Sequence, residues 1–188
     1  MRKTTALLAA LTVMTIAATA PRSAQAYRPS QFYFGGSLPF AIPVGDFLDG
    51  ANPALGLIGH AEFRVLPILG LTFDLGYVGF IEKNNVALNT MPMLFGARFY
   101  HHIAPVTVWG GTRIGMWHTA AKISAGPFST TVSDTGGGWL FGGGVQYPIL
   151  DRLLFDAGLE FGSIDLANFD KSMVLMFNFG VRYGVTFF

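Results

Sequence analysis

Nine residues of this chain have the types and spacing to act together. They are Glu62, Asp74, Asp156 and Glu160, Arg64, Arg98, Arg113 and Arg182, and His60. Each sits in a stretch where large apolar residues alternate with small or polar ones, and each falls in the small or polar phase. Leu55, Leu57, Ala61 and Phe63, for example, alternate with His60, Glu62 and Arg64. Period two is the signature of a strand, so all nine share one face of a sheet. Four carboxylates facing four guanidiniums can form an ion or proton path, or a network of salt bridges. Buried charges persist only when paired and hydrogen-bonded, and equal numbers are what a dry interior needs to be neutral. The favoured reading is a charge network that fills and holds an interior, with His60 as a polar filler.

Other candidates carry less. His101-His102 is a paired histidine, but no carboxylate or third ligand lies near it in sequence, so metal or general-base chemistry is not expected. Asp46, Asp49 and Gly50 lack the remaining oxygen ligands of a calcium loop. The runs Gly136–Gly138 and Gly142–Gly144 precede no helix, so they are not phosphate loops. They make room for bulky inward residues such as Trp109 and Trp117. Cysteine is absent, which excludes disulfides and zinc–thiolate sites. No catalytic residue, cofactor or metal is expected.

The elements that position these residues are eight strands. They are read at Gln31–Phe40, Ala54–Val65, Ile68–Phe80, Leu88–Tyr100, Val106–Thr119, Gly136–Tyr147, Leu153–Ile164 and Met173–Phe188. Pro92 predicts a bulge or irregularity in the fourth. The connections alternate long and short: Ala41–Pro53, Ile81–Ala87, Ala120–Thr135 and Asp165–Ser172 are long, while Leu66-Pro67, His101–Pro105 and Pro148–Arg152 are short. Such asymmetry is that of an all-β, antiparallel up-and-down transmembrane barrel with tight turns on one side of the membrane. A soluble barrel of the lipocalin sort would place the phenylalanines inside. Eight strands enclose too little room for them, and the other face has too few charges for water.

The ends of the chain agree. Arg2 and Lys3, the apolar run Ala6–Ala20 and the Ser23-Ala24-Gln25-Ala26 site predict a signal peptide over residues 1–26, leaving a barrel domain at 27–188. That domain carries 9 basic and 11 acidic residues, giving −2, which suggests no nucleic-acid partner. Only 12% of residues are charged, and mean hydropathy is +0.45. With no second run able to span a membrane as a helix, a closed barrel is the structure that satisfies the backbone in lipid.

The closing stretch MVLMFNFGVRYGVTFF resembles the C-terminal strand of bacterial outer-membrane barrels. The stretch GGSLPFAIPVGDFLDGANPALGLIG resembles the opening of small barrels of the OmpA/OmpX type. The resemblance implies an integral protein of the Gram-negative outer membrane, a monomer in contact with lipid and lipopolysaccharide. It also implies an assembly signal at Phe187 and Phe188 read by the barrel-assembly machinery, with Phe187 in the outward phase. Those families include adhesins, anchors and small channels. Small outer-membrane barrels also include lipid A deacylases and palmitoyltransferases; a deacylase would need a His–Ser–acid set, for which His118 is the single candidate, and no H-x-S motif accompanies it. The expected role is structural or surface interaction with a plugged lumen. The alternatives are a narrow channel with a lateral exit near Pro92, and a lipid-modifying enzyme.

Overall fold

In the computed structural model, residues 32–45, 47, 51–125, 128–166 and 169–186 are described. The signal-peptide region, Asp46, Asp49, Gly50, Phe187 and Phe188 lie outside them. Eight strands close into one barrel: β1 Phe32–Val44, β2 Ala54–Leu66, β3 Leu69–Phe80, β4 Val86–Ile103, β5 Val106–Ala125, β6 Phe128–Leu150, β7 Leu153–Leu166 and β8 Phe169–Val185. Every neighbouring pair is antiparallel, and β1 closes the ring on β8 from Phe32↔Val185 to Val44↔Met173. At one end β2–β3, β4–β5 and β6–β7 are joined by two-residue turns, and β1 begins there; this is the turn end. The opposite end is the loop end.

The alternation decides which way each side chain points. Phe34, Leu38, Leu57, Leu71, Phe95, Phe99, Ile114, Phe141 and Phe179 are exposed on the outside. Between them in sequence, Tyr33, Ile58, Asp74, Leu94, Trp117, Leu140 and Arg182 are buried inside. A continuous apolar exterior over a packed interior is the inverse of a soluble barrel.

Three expectations are corrected or narrowed. The stretch Ala120–Thr135 is not a loop: β5 and β6 stay paired to Ala125↔Phe128, so most of it is a hairpin. Its polarity suggested a loop, but Thr130, Thr131 and Val132 are β-branched and favour strand. From Phe128 to Gly137, β6 pairs with β5 alone, because pairing with β7 begins at Gly138↔Ile164. The hairpin therefore rises above its neighbour. β1, β4 and β8 likewise extend beyond their expected loop-end limits, to Val44, Val86 and Phe169.

At Pro92 the expected irregularity is an interrupted ladder and not a bulge. Pairing of β3 with β4 runs from Leu69↔Phe99 to Leu75↔Met93 and resumes at Val78↔Thr90 in the same register. On its other side Pro92 pairs with Trp117 without a shift. Proline lacks the N–H that the ladder needs, so the ladder is interrupted, but the strand keeps its course.

The third correction concerns the interior, which is charged over only half of its depth. Toward the loop end Ala41, Ala54, Ile58, Val78, Phe80, Leu88, Leu94, Trp117, Leu140, Ile164, Val174 and Met176 form one buried apolar cluster, with Phe47 packed on it. Phe47 meets Phe80 edge-on, with ring centroids 5.4 Å apart. The charges all lie toward the turn end.

Candidate functional site: the charged layer of the lumen

Each strand changes character at about the same depth. Reading inward positions from the turn end, β2 runs Arg64, Glu62, His60 and then Ile58; β4 runs Tyr100, Arg98 and then Leu94. On β7 the order is Asp156, Glu160 and then Ile164, and on β8 it is Arg182, Asn178 and then Met176 and Val174. All eight charged residues anticipated from sequence are at most 6% exposed.

Glycines on neighbouring strands create the space for these long side chains. A Cβ on Gly70 would stand 2.8 Å from Glu62 Oε1, one on Gly96 2.5 Å from Arg113 Cγ, and one on Gly142 2.8 Å from Glu160 Cγ. Gly144 and Gly158 leave the slot that Trp109 fills, and Gly138 does so for Trp117. Arg98 lies 3.8 Å over the Trp109 ring, and Arg64 is sandwiched between Tyr33 and Tyr100 at 4.2 and 4.1 Å. Aromatic faces thus cover guanidinium surfaces that carboxylates leave open.

The hydrogen bonds divide into two sets. In the first, Arg182 donates to Glu62 at 2.9 Å and to Asp156 at 2.6 Å, and Arg98 donates to Asp156 at 3.1 Å. Arg64 donates to Glu62 at 2.8 Å and to Gln146 at 2.9 Å; Gln146 donates on to Asp156, and Tyr100 donates to Glu62 at 2.6 Å. In the second set Arg113 holds both Asp74 and Glu160. Asn178 donates to Glu160 at 2.6 Å, while His60 Nδ1 meets Asp74 at 2.5 Å and His60 Nε2 meets Ser37 Oγ at 2.7 Å. No hydrogen bond or ion pair between described residues joins the two sets. Together they draw a side chain from every strand, β1 through Ser37 and β6 through Gln146.

Ser37, Tyr100, Gln146 and Asn178 were not singled out from sequence. Each is a polar residue in the inward phase, which is the signal that could have found them.

Ser37, His60 and Asp74 have the contact order of a nucleophilic relay: hydroxyl, imidazole, carboxylate. With Nδ1–H donating to Asp74, Nε2 accepts the Ser37 hydroxyl proton. The cavity that Ser37 lines measures about 10 Å³, room for one water and not for an acyl group. Asp74 is also held by Arg113, so the trio serves the network. His102 Nδ1 meets Thr107 Oγ1 at 2.7 Å, and His118 Nδ1 meets Thr135 Oγ1 at 2.9 Å on the exposed hairpin. Among the described residues no three His, Asp or Glu converge as a metal site requires.

Solved structures with the same architecture include Neisserial surface protein A (NspA), at TM-score 0.66 and 18% identity, covering 83% of this chain and 98% of that one. OprG of Pseudomonas aeruginosa is similar at TM-score 0.57 and 13% identity, covering 86% and 98%. Ail, the attachment invasion locus protein of Yersinia pestis, is similar at 0.54 and 18%, covering 82% and 96%. A search of curated proteins gave no match. At these identities the structural likeness speaks for the fold, but the family model for the outer membrane protein beta-barrel domain matches residues 6–185, and the chain belongs to that family.

Proposed function

We propose that this protein is an integral outer-membrane barrel whose lumen is closed and whose role is structural or surface-interacting, not catalytic or conductive. The observation that carries this is the two-layer interior. A water path would have to pass the charged layer, where each arginine is held by carboxylates. It would then have to pass Ile58, Leu94, Leu140 and Val174, which offer water no hydrogen-bond partner. Eight strands leave little room beyond their own side chains.

The surface role belongs to the β5–β6 hairpin. Among the described residues, the side of β6 away from β5 has no strand beside it from Phe128 to Gly137, and Phe128 and Val132 are exposed. An unpaired edge offers its backbone to another chain. A surface role is also what Ail's name, attachment invasion locus protein, records for a barrel of this shape.

The channel reading has one observation in its favour, the interrupted ladder opposite Pro92. Behind it, however, Ile58 packs closely against Gly76, which weighs against an inward opening. Liposome uptake separates the readings. Vesicles containing the refolded chain should admit small sugars and small apolar solutes no faster than protein-free vesicles. Faster uptake of the apolar solutes alone would establish the lateral route instead.

A further inference from the structure

The two hydrogen-bonded sets carry opposite charge. The first holds Arg64, Arg98 and Arg182 against Glu62 and Asp156, a formal +1. The second holds Arg113 against Asp74 and Glu160, a formal −1 with His60 neutral. The cavity of about 10 Å³ is lined by residues of both sets, Arg98, Asp156 and Arg182 of the first and Ser37, His60 and Asn178 of the second. Among the described residues seven buried side-chain atoms lack a hydrogen-bond partner, and two of them, Arg98 Nε and Asn178 Oδ1, belong to residues lining this cavity. One is a donor from the positive set; the other is an acceptor from the negative set.

We infer that this cavity is a binding site for a single water molecule that joins the two networks. The water accepts from Arg98 Nε–H and donates to Asn178 Oδ1. Its second hydrogen has the free lone pairs of Ser37 Oγ, whose own proton goes to His60. Three partners are the usual number for a buried water, and the volume matches one. Orientation follows from the charges: the water oxygen faces the +1 set and its hydrogens face the −1 set.

The same wall disfavours ions. Two guanidiniums line the cavity, which repels a cation. An anion would be repelled by the Asp156 carboxylate, and the two sets already sum to zero. A small neutral molecule that both accepts and donates is what the chemistry selects. The water also ties Ser37 of β1 and Asn178 of β8 to Arg98 of β4, so it braces the seam where the barrel closes.

The test uses the full chain refolded in detergent micelles, with arginine side chains labelled with ¹⁵N. Arg98 Nε–H should show cross-relaxation to a long-lived water, and Asn178→Leu, which fills the cavity and removes the acceptor, should abolish it. Ile123→Ala, on the hairpin, should leave it intact and controls for refolding. A crystal structure should show one peak within hydrogen-bond distance of both atoms. An Arg98 Nε–H without water contact in the wild-type protein would overturn the inference. So would an anomalous peak in the cavity after a bromide soak, which would make it an anion site.

Discussion

The two halves of the lumen solve one problem in different ways. Toward the turn end, the interior is filled by charges, each held by partners on other strands. Toward the loop end it is filled by apolar packing, with Leu94 and Leu140 fully buried. The charged half depends on pairing: removing one member leaves others buried without a counterion, so its failures should be large and open to water. The apolar half depends on volume: removing atoms leaves a cavity, and an apolar cavity stays dry. Both halves hold the barrel's shape, but only the charged one is wettable when broken.

The largest effect should come from Arg113→Ala. Arg113 is the one guanidinium bonded to Asp74 and to Glu160, so its loss leaves two carboxylates in the interior without a cation. A loss of about 3–5 kcal/mol is expected from urea unfolding in lipid vesicles. Arg182→Ala should cost less, because Glu62 keeps Arg64 and Tyr100 while Asp156 keeps Arg98 and Gln146. Equal losses for the two variants would show that the partition into two sets has no energetic meaning.

Next comes the apolar half. Leu140→Ala should destabilise by about 3 kcal/mol without making the protein conduct. Conductance in this variant would erase the contrast drawn above. Tyr100→Phe keeps the ring against Arg64 but loses the 2.6 Å bond to Glu62; a loss of about 1.5–3 kcal/mol is expected in the same unfolding assay. The smallest effect is on the hairpin, where Thr131→Ala should change stability by no more than about 0.5 kcal/mol. A larger change there would mean that the hairpin is part of the barrel's stability and not an addition to it.

How much of this was legible in the residues follows from what a strand pattern contains. Period two tells which face each side chain takes, and that alone placed Glu62, Arg64, Asp74, Arg98, Arg113, Asp156, Glu160 and Arg182 inside. It does not tell the register between strands. The level at which Ile58 meets Gly76, or Leu94 meets Gly115, is therefore hidden, and with it the apolar layer. Ser37 stands in the inward phase, but its pairing with His60, 23 residues away, depends on a register that the pattern does not specify. The hairpin was misread because polarity on both faces usually means a loop, whereas a strand standing above lipid is free to be polar on both. The family resemblance carried the fold and the architecture; it could not carry the pairing of particular side chains.

The central claim is that the lumen is closed, and single-channel recording in planar bilayers tests it most directly. Wild-type protein should be silent at moderate voltages, and so should Arg113→Ala, because water drawn in by its two unpaired carboxylates still meets the intact apolar layer. Stable, open conductance by the wild-type protein would contradict the account.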